Sequence, residues 1–254
     1  MRRLIYSIYV VLVAIPLLLI TLLTSLVTIL GCWLGKSSFW GYYPGKIWSV
    51  LVCYLLLLRV HVERKQELQK NQSYVFVGNH QGTFDIFLVY GFLGRNFKWM
   101  IKHSIRKMPF IGPACQSAQH IFVDRRGPRK VYQSIQLAKK ILCGGISLMI
   151  FPEGARTFTG HMGYFKKGAF QLADELQLPV VPVTINGSFD VLPRDKRWIK
   201  QHRLELIIHA PIYPIAKGEE NMQYLLEQSY TAIQTGLPQH YKGMVRNEDQ
   251  DVIS

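Results

Sequence analysis

The sequence predicts an α/β protein with a mixed, largely parallel central sheet and flanking helices, preceded by an N-terminal two-helix membrane anchor. Three observations predict it. A charge-free apolar stretch opens the chain, short β-rich runs then alternate with helical patterns, and unusual polar groups gather directly after the apolar runs. Strand, helix, strand in repetition implies parallel strands joined by crossover helices. A chain of 254 residues with 49% hydrophobic and 18% charged residues is no disordered, collagen-like or disulfide-stapled protein. The cysteines Cys32, Cys53, Cys115 and Cys143 form no close pair, which fits a reduced, cytosol-facing protein without a metal clamp.

The anchor comes first in the chain. From Leu4 to Gly35 no residue carries a formal charge. At about 1.5 Å per helical residue, roughly 20 residues cross a hydrocarbon core about 30 Å thick. The apolar region of a signal peptide is only about 7–15 residues long, so this stretch predicts a retained membrane helix. A second apolar run, Ile47 to Leu58, follows the connector Trp40-Gly41-Tyr42-Tyr43-Pro44-Gly45, whose rings suit a membrane interface. That run is short for a full crossing, which leaves two arrangements open: both segments span, or the pair forms a hairpin dipping into one leaflet. Arg2 and Arg3 before the pair, with Arg59, Arg64 and Lys65 after it, put both ends on the cytoplasmic side. The expected organisation is a helix pair over 1–60, an α/β domain over 61–242 and a polar C-terminal tail over 243–254.

The net charge of +14 is unevenly spread. Arg95 to Lys140 holds eleven lysines and arginines against Asp124 alone, whereas Glu205 to Ser254 is mildly acidic. Such a basic zone suits nucleic acid, anionic headgroups, a phosphorylated substrate or plain solvation. An anchor beside it turns the choice toward lipid phosphate.

The expected strands are Tyr74 to Gly78, Phe97 to Ile101, His120 to Val123, Ile146 to Phe151, Val180 to Ile185 and Leu204 to His209. Between them, Val131, Ile135, Ala138 and Leu142 recur at helical spacing, as do Phe170, Ala173 and Leu176. Ligands of an open α/β sheet gather beyond the carboxyl ends of its strands, so the residues after each run matter most. They read Gly78-Asn79-His80-Gln81-Gly82-Thr83-Phe84-Asp85, Asp124-Arg125-Arg126, Pro152-Glu153-Gly154-Ala155-Arg156-Thr157 and Asn186-Gly187-Ser188.

His80 and Asp85 form the natural acid–base pair. An imidazole takes a proton near neutral pH, and a carboxylate on its other nitrogen fixes the tautomer and stabilises the imidazolium. With Gly82 in the turn between them, the two side chains can meet. No Gly-x-Ser-x-Gly elbow or cysteine nucleophile is evident, so the base acts on a substrate hydroxyl. Gly154 permits close backbone approach and Arg156 offers a planar fork for phosphate. Arg125 and Lys102 also follow strands and can reach the same crevice. Each of these groups has an ordinary structural or solvated alternative. No HExxH or Cys-x-x-Cys arrangement is present, and no metal or other cofactor is expected.

The combination is more specific than its parts. Asn79-His80 with Asp85, then Phe122-Val123-Asp124-Arg125, Phe151-Pro152-Glu153-Gly154-Ala155-Arg156 and Val181-Pro182-Val183, behind an apolar N-terminus, resembles the glycerolipid acyltransferase family. Within it, the pattern is most similar to bacterial-type 1-acylglycerol-3-phosphate acyltransferases, over roughly Tyr74 to Ser188. Ala155 stands where the family commonly has threonine.

The resemblance implies that His80 is the general base and Asp85 its orienting partner. It also implies that Arg125, Glu153, Gly154 and Arg156, with Lys102, bind the phosphate and glycerol of the acceptor, while Asn79, Gly82 and Pro182 support the site. The implied reaction moves an acyl group from acyl-CoA or acyl carrier protein to the 2-hydroxyl of lysophosphatidic acid, making phosphatidic acid. Its implied place is the cytoplasmic face of a bacterial inner membrane, among anionic lipids and without nucleic acid. Two rivals remain open at this point: an O-acyltransferase for another lysolipid such as lyso-ornithine lipid, and a non-catalytic membrane-anchored adaptor.

Overall fold

The computed structural model describes residues 2–123, 128–142 and 144–243. The chain opens with α1 (Arg2–Trp33), a short α2 (Ser37–Trp40) and α3 (Tyr43–Leu55), then β1 (Arg59–Arg64) and β2 (Val75–Gly78). There follow α4 (Phe84–Phe92), β3 (Phe97–Lys102), α5 (Ile111–Ser117), β4 (Ile121–Val123), α6 (Pro128–Ile141) and β5 (Ser147–Ile150). The last elements are α7 (Gly168–Leu176), β6 (Val180–Asn186), α8 (Ser188–Val191), β7 (Arg203–Ile208) and α9 (Glu219–Gly236).

The strands form one sheet in the order β1-β7-β6-β2-β5-β3-β4. Among the described strand pairings β6–β7 is antiparallel and the other five are parallel. The expected mixed, largely parallel sheet with flanking helices is the fold found. All six expected strands are present, within a residue or two at their ends.

The central strands are apolar without a break because helices cover both faces. Alternate residues serve opposite layers: Phe76, Met149, Val181 and Val183 join one core cluster with residues of α3 and α4, including Val52 and Leu88. Val75, Val77, Leu148 and Ile150 join the other with residues of α6, α7 and α9, including Ala138, Phe170 and Ile233. Each such fully buried apolar side chain stabilises the fold by about 1.5–3 kcal/mol.

β1 was not among the expected strands. Its sequence alternates charged residues and His61 with two valines, and it sits half-buried at the sheet edge, so it lacks the apolar signature of the centre. Arg59 and Arg64, expected as charges flanking the anchor, belong to this strand. α9 was also unforeseen. Its inward residues Asn221, Leu225, Ser229 and Ile233 fall at helical spacing, but two of the four are polar, which breaks the hydrophobic period.

The N-terminus holds one long apolar helix rather than two. α1 is the helix long and apolar enough to cross a membrane among the described residues, while α3 has 13 residues. α1 is bound to its own protein along its length. Tyr6 Oη donates to Leu56 O at 2.7 Å and Tyr9 Oη to Leu55 O at 2.8 Å. Farther on, Trp48 Nε1 donates to Thr21 Oγ1 at 2.9 Å. The opposite stripe, Leu4, Ile8, Leu12, Ile15, Leu19 and Leu23, is 54–69% exposed.

Candidate active site

Residues 79–85 leave the carboxyl end of β2 and turn into α4, which places His80 above the sheet and Asp85 in the first helical turn. His80 Nδ1 lies 2.6 Å from Asp85 Oδ2, the geometry expected from their spacing. Asp85 is fully buried, and its Oδ2 also accepts the Gly82 N–H at 2.9 Å. The carboxylate therefore favours the Nδ1–H tautomer, and among the described residues Nε2 has no hydrogen-bond partner. The His80 ring stacks on Phe151 with centroids 4.0 Å apart and planes 5° apart. Among the described residues no serine, threonine or cysteine hydrogen-bonds Nε2.

Gly82 is needed for space rather than for its dihedral angles. A Cβ there would lie 2.8 Å from the Ser188 carbonyl oxygen, at the start of α8. Asn79 clamps the turn to β6: its Nδ2 donates to Ile185 O and its Oδ1 accepts from Ile185 N, both at 2.8 Å. Pro182 lies within β6, aligned with Val77, and its carbonyl accepts from His209 N at 3.0 Å.

Glu153 follows β5 and is buried. One carboxylate oxygen accepts the His80 N–H at 2.7 Å, the other the Gly163 N–H at 2.8 Å. Burial pushes its pKa up to about 8, opposed by the Gly163 and His80 backbone hydrogen bonds and assisted by the nearby Asp85. The carboxyl thus ties three segments together: its own loop, the His80 turn and the segment before α7. Gly154 beside it has a φ of 80°, a conformation that favours glycine.

Arg156 donates from Nη1 to Thr83 Oγ1, so its guanidinium lies against the His80–Asp85 turn with other N–H groups free for an anion. Its own carbonyl accepts from Arg194 Nη1 at 2.8 Å. Lys102 stands exposed at the carboxyl end of β3, on the same sheet edge and two strands from β2. Arg125 lies outside the described residues. Four participants were not foreseen: Phe151, Thr83, Gly163 and Arg194. Phe151 adjoined an examined junction, but nothing in its own neighbourhood marks an apolar residue as a ring-stacking partner.

The geometry is a His–Asp pair at a strand-to-helix turn with the Arg156 guanidinium against it. The acyltransferase family model matches residues 59–186, half of the chain, and the chain belongs to the acyltransferase family. A chloroplastic 1-acyl-sn-glycerol-3-phosphate acyltransferase of Arabidopsis thaliana is 32% identical over 174 residues, 68% of this chain and 48% of that protein. One from Brassica napus is 31% identical over 68% of this chain and 50% of its own. The chain thus spans about half the length of the curated relatives it matches. The crystal structure of the 1-acyl-sn-glycerophosphate (LPA) acyltransferase PlsC from Thermotoga maritima has the same fold. Its TM-score is 0.75 at 23% identity, covering 92% of this chain and 95% of that one.

Proposed function

We propose that this protein transfers a fatty acyl group from acyl-CoA or acyl carrier protein to the 2-hydroxyl of lysophosphatidic acid, forming phosphatidic acid. The observation that carries this reading is the His80–Asp85 pair at 2.6 Å, with a bare Nε2 and no enzyme hydroxyl or thiol bonded to it among the described residues. The substrate hydroxyl occupies that place. His80 Nε2 takes its proton as the oxygen attacks the thioester carbonyl, giving a tetrahedral oxyanion. Collapse breaks the C–S bond, and the imidazolium returns the proton to the leaving thiolate. No cofactor enters this chemistry.

Arg156, Arg125 and Lys102 supply the charge for the acceptor phosphate. Glu153 acts as a positioning residue, because both of its oxygens already hold backbone amides. Gly154 shapes the loop, and Asn79, Gly82 and Pro182 hold the turn and β6 in register. Residues 61–242 form the catalytic unit, with 1–60 as its membrane-associated pair and 243–254 as a tail; 244–254 lie outside the described residues.

Monotopic insertion is the membrane arrangement we favour. α1 is hydrogen-bonded to its own protein at Tyr6, Tyr9 and Thr21 while its outer stripe stays apolar and exposed, so α1 and α3 enter one leaflet together as a hairpin. The flanking arginines support a cytoplasmic face, in bacteria that of the inner membrane. This keeps His80 where a lysolipid arrives from the bilayer and a soluble thioester from the cytoplasm.

Purified protein supplied with either thioester and a panel of lysolipids tests the assignment. Phosphatidic acid from lysophosphatidic acid is the expected product, and a preference for lyso-ornithine lipid contradicts it. Arg156→Ala removes charged hydrogen bonds of about 1.5–3 kcal/mol, so the apparent KM for lysophosphatidic acid is expected to rise roughly 10–100-fold. An unchanged KM removes Arg156 from the phosphate site.

A further inference from the structure

Between α8 and β7 the chain reads Leu192-Pro193-Arg194-Asp195-Lys196-Arg197-Trp198-Ile199-Lys200-Gln201-His202, a segment the acceptor chemistry leaves largely unused. Its acid Asp195 is held by Lys196 at 2.8 Å, leaving Arg197 and Lys200 without a neighbouring acid in sequence. Trp198 is 64% exposed, an unusual position for the largest side chain in a cationic loop.

The loop is fixed at several points. Lys200 N donates to Val191 O at 2.8 Å, Ile199 packs against the core beneath, and Arg194 reaches the Arg156 carbonyl while lying 3.9 Å over the Phe158 ring. At the far end Gln201 Nε2 donates to Leu57 O at 3.2 Å. Leu57 directly follows Leu55 and Leu56, which accept the Tyr9 and Tyr6 hydroxyls at the beginning of α1. One run of contacts therefore joins the His80–Asp85 turn, this loop and the protein-facing side of α1 at its start.

We propose that residues 194–200 form a docking surface for an anionic bilayer, with Trp198 seated at the headgroup level and Arg197 and Lys200 on lipid phosphates. The occupant follows from two features together. The cations match a negative surface, and an exposed indole beside them suits the headgroup level of a bilayer. The loop then sets the tilt of the domain on the membrane and presents the site beside Arg156 to the headgroup layer. This rests on the membrane-bound reading above, and the experiment separates the two.

Full-length protein is partitioned onto phosphatidylcholine vesicles and onto the same vesicles containing phosphatidylglycerol. Arg197→Glu with Lys200→Glu is expected to weaken partitioning to the phosphatidylglycerol vesicles by about tenfold or more, from about 1 kcal/mol per basic residue. Binding to pure phosphatidylcholine should change by less than about twofold. Trp198→Ser should weaken binding to both. Equal affinity of the charge-reversed and wild-type proteins for phosphatidylglycerol vesicles overturns the proposal. So does unchanged partitioning with a selective loss of acyl carrier protein as donor, which assigns the loop to an acidic protein. Failure of the wild type to bind either vesicle removes the monotopic anchor, and the docking surface with it. Activity of the variants toward acyl-CoA in neutral detergent micelles, expected unchanged, shows that they fold.

Discussion

His80→Ala is expected to lower acyl transfer by about 10²–10⁴-fold while leaving vesicle binding intact and the protein folded, with only a modest loss of thermal stability. The size of the effect is that of losing the proposed general base. The imidazole stacks on Phe151 and hydrogen-bonds the buried Asp85, so its loss costs about 1–3 kcal/mol, while the Gly82 N–H on Asp85 and the His80 N–H on Glu153 still hold the turn. The measurement is the rate of lysolipid-dependent thiol release, read beside a melting curve. Retained activity removes His80 from the chemistry, whereas a collapsed melting temperature makes it structural.

Glu153→Ala is expected to act in the opposite way, through stability first. It strands the buried His80 and Gly163 amides, at about 1–3 kcal/mol each, and frees the catalytic turn from the segment before α7. Its pH dependence has a definite sign. Burial raises the folded pKa from 4.5 to about 8, so the native state binds this proton more tightly than the unfolded chain. The stabilisation from that proton is complete below about pH 4.5 and is lost as pH rises through about 8. Denaturation midpoints across that range should fall with rising pH in the wild type and lack this component in Glu153→Ala. A variant as stable as the wild type, with the same pH slope, removes the brace.

The sheet was largely legible because its central strands are buried on both faces, which leaves uninterrupted apolar runs such as Val75 to Val77. β1 was not, since an edge strand that alternates valine with charge carries no such run, and its arginines also suited a membrane flank. The His80–Asp85 contact was legible because it is local, closing across one turn. Gly82 was read correctly as necessary and for an incomplete reason. The obstacle is Ser188, which lies far along the chain and is brought close only when β2 and β6 pair.

The same distance hid Thr83 from Arg156 and the His80 amide from Glu153. Hydrogen bonds between separate strand ends depend on topology, and local pattern does not encode them. The anchor shows the converse. Hydropathy marked two apolar segments, but it could not show that α1 spends one face on its own protein, which is what favours insertion over spanning.

The central claim is direct transfer, in which His80 activates the acceptor and no acyl group rests on the protein. A single-turnover experiment with labelled acyl thioester and enzyme in excess, quenched with and without lysophosphatidic acid, tests it most directly. Direct transfer predicts no thiol burst and no label on the protein without acceptor, and stoichiometric thiol and phosphatidic acid when acceptor is added. A burst of thiol equal to the substrate present, with label covalently held by the protein before any acceptor arrives, contradicts it.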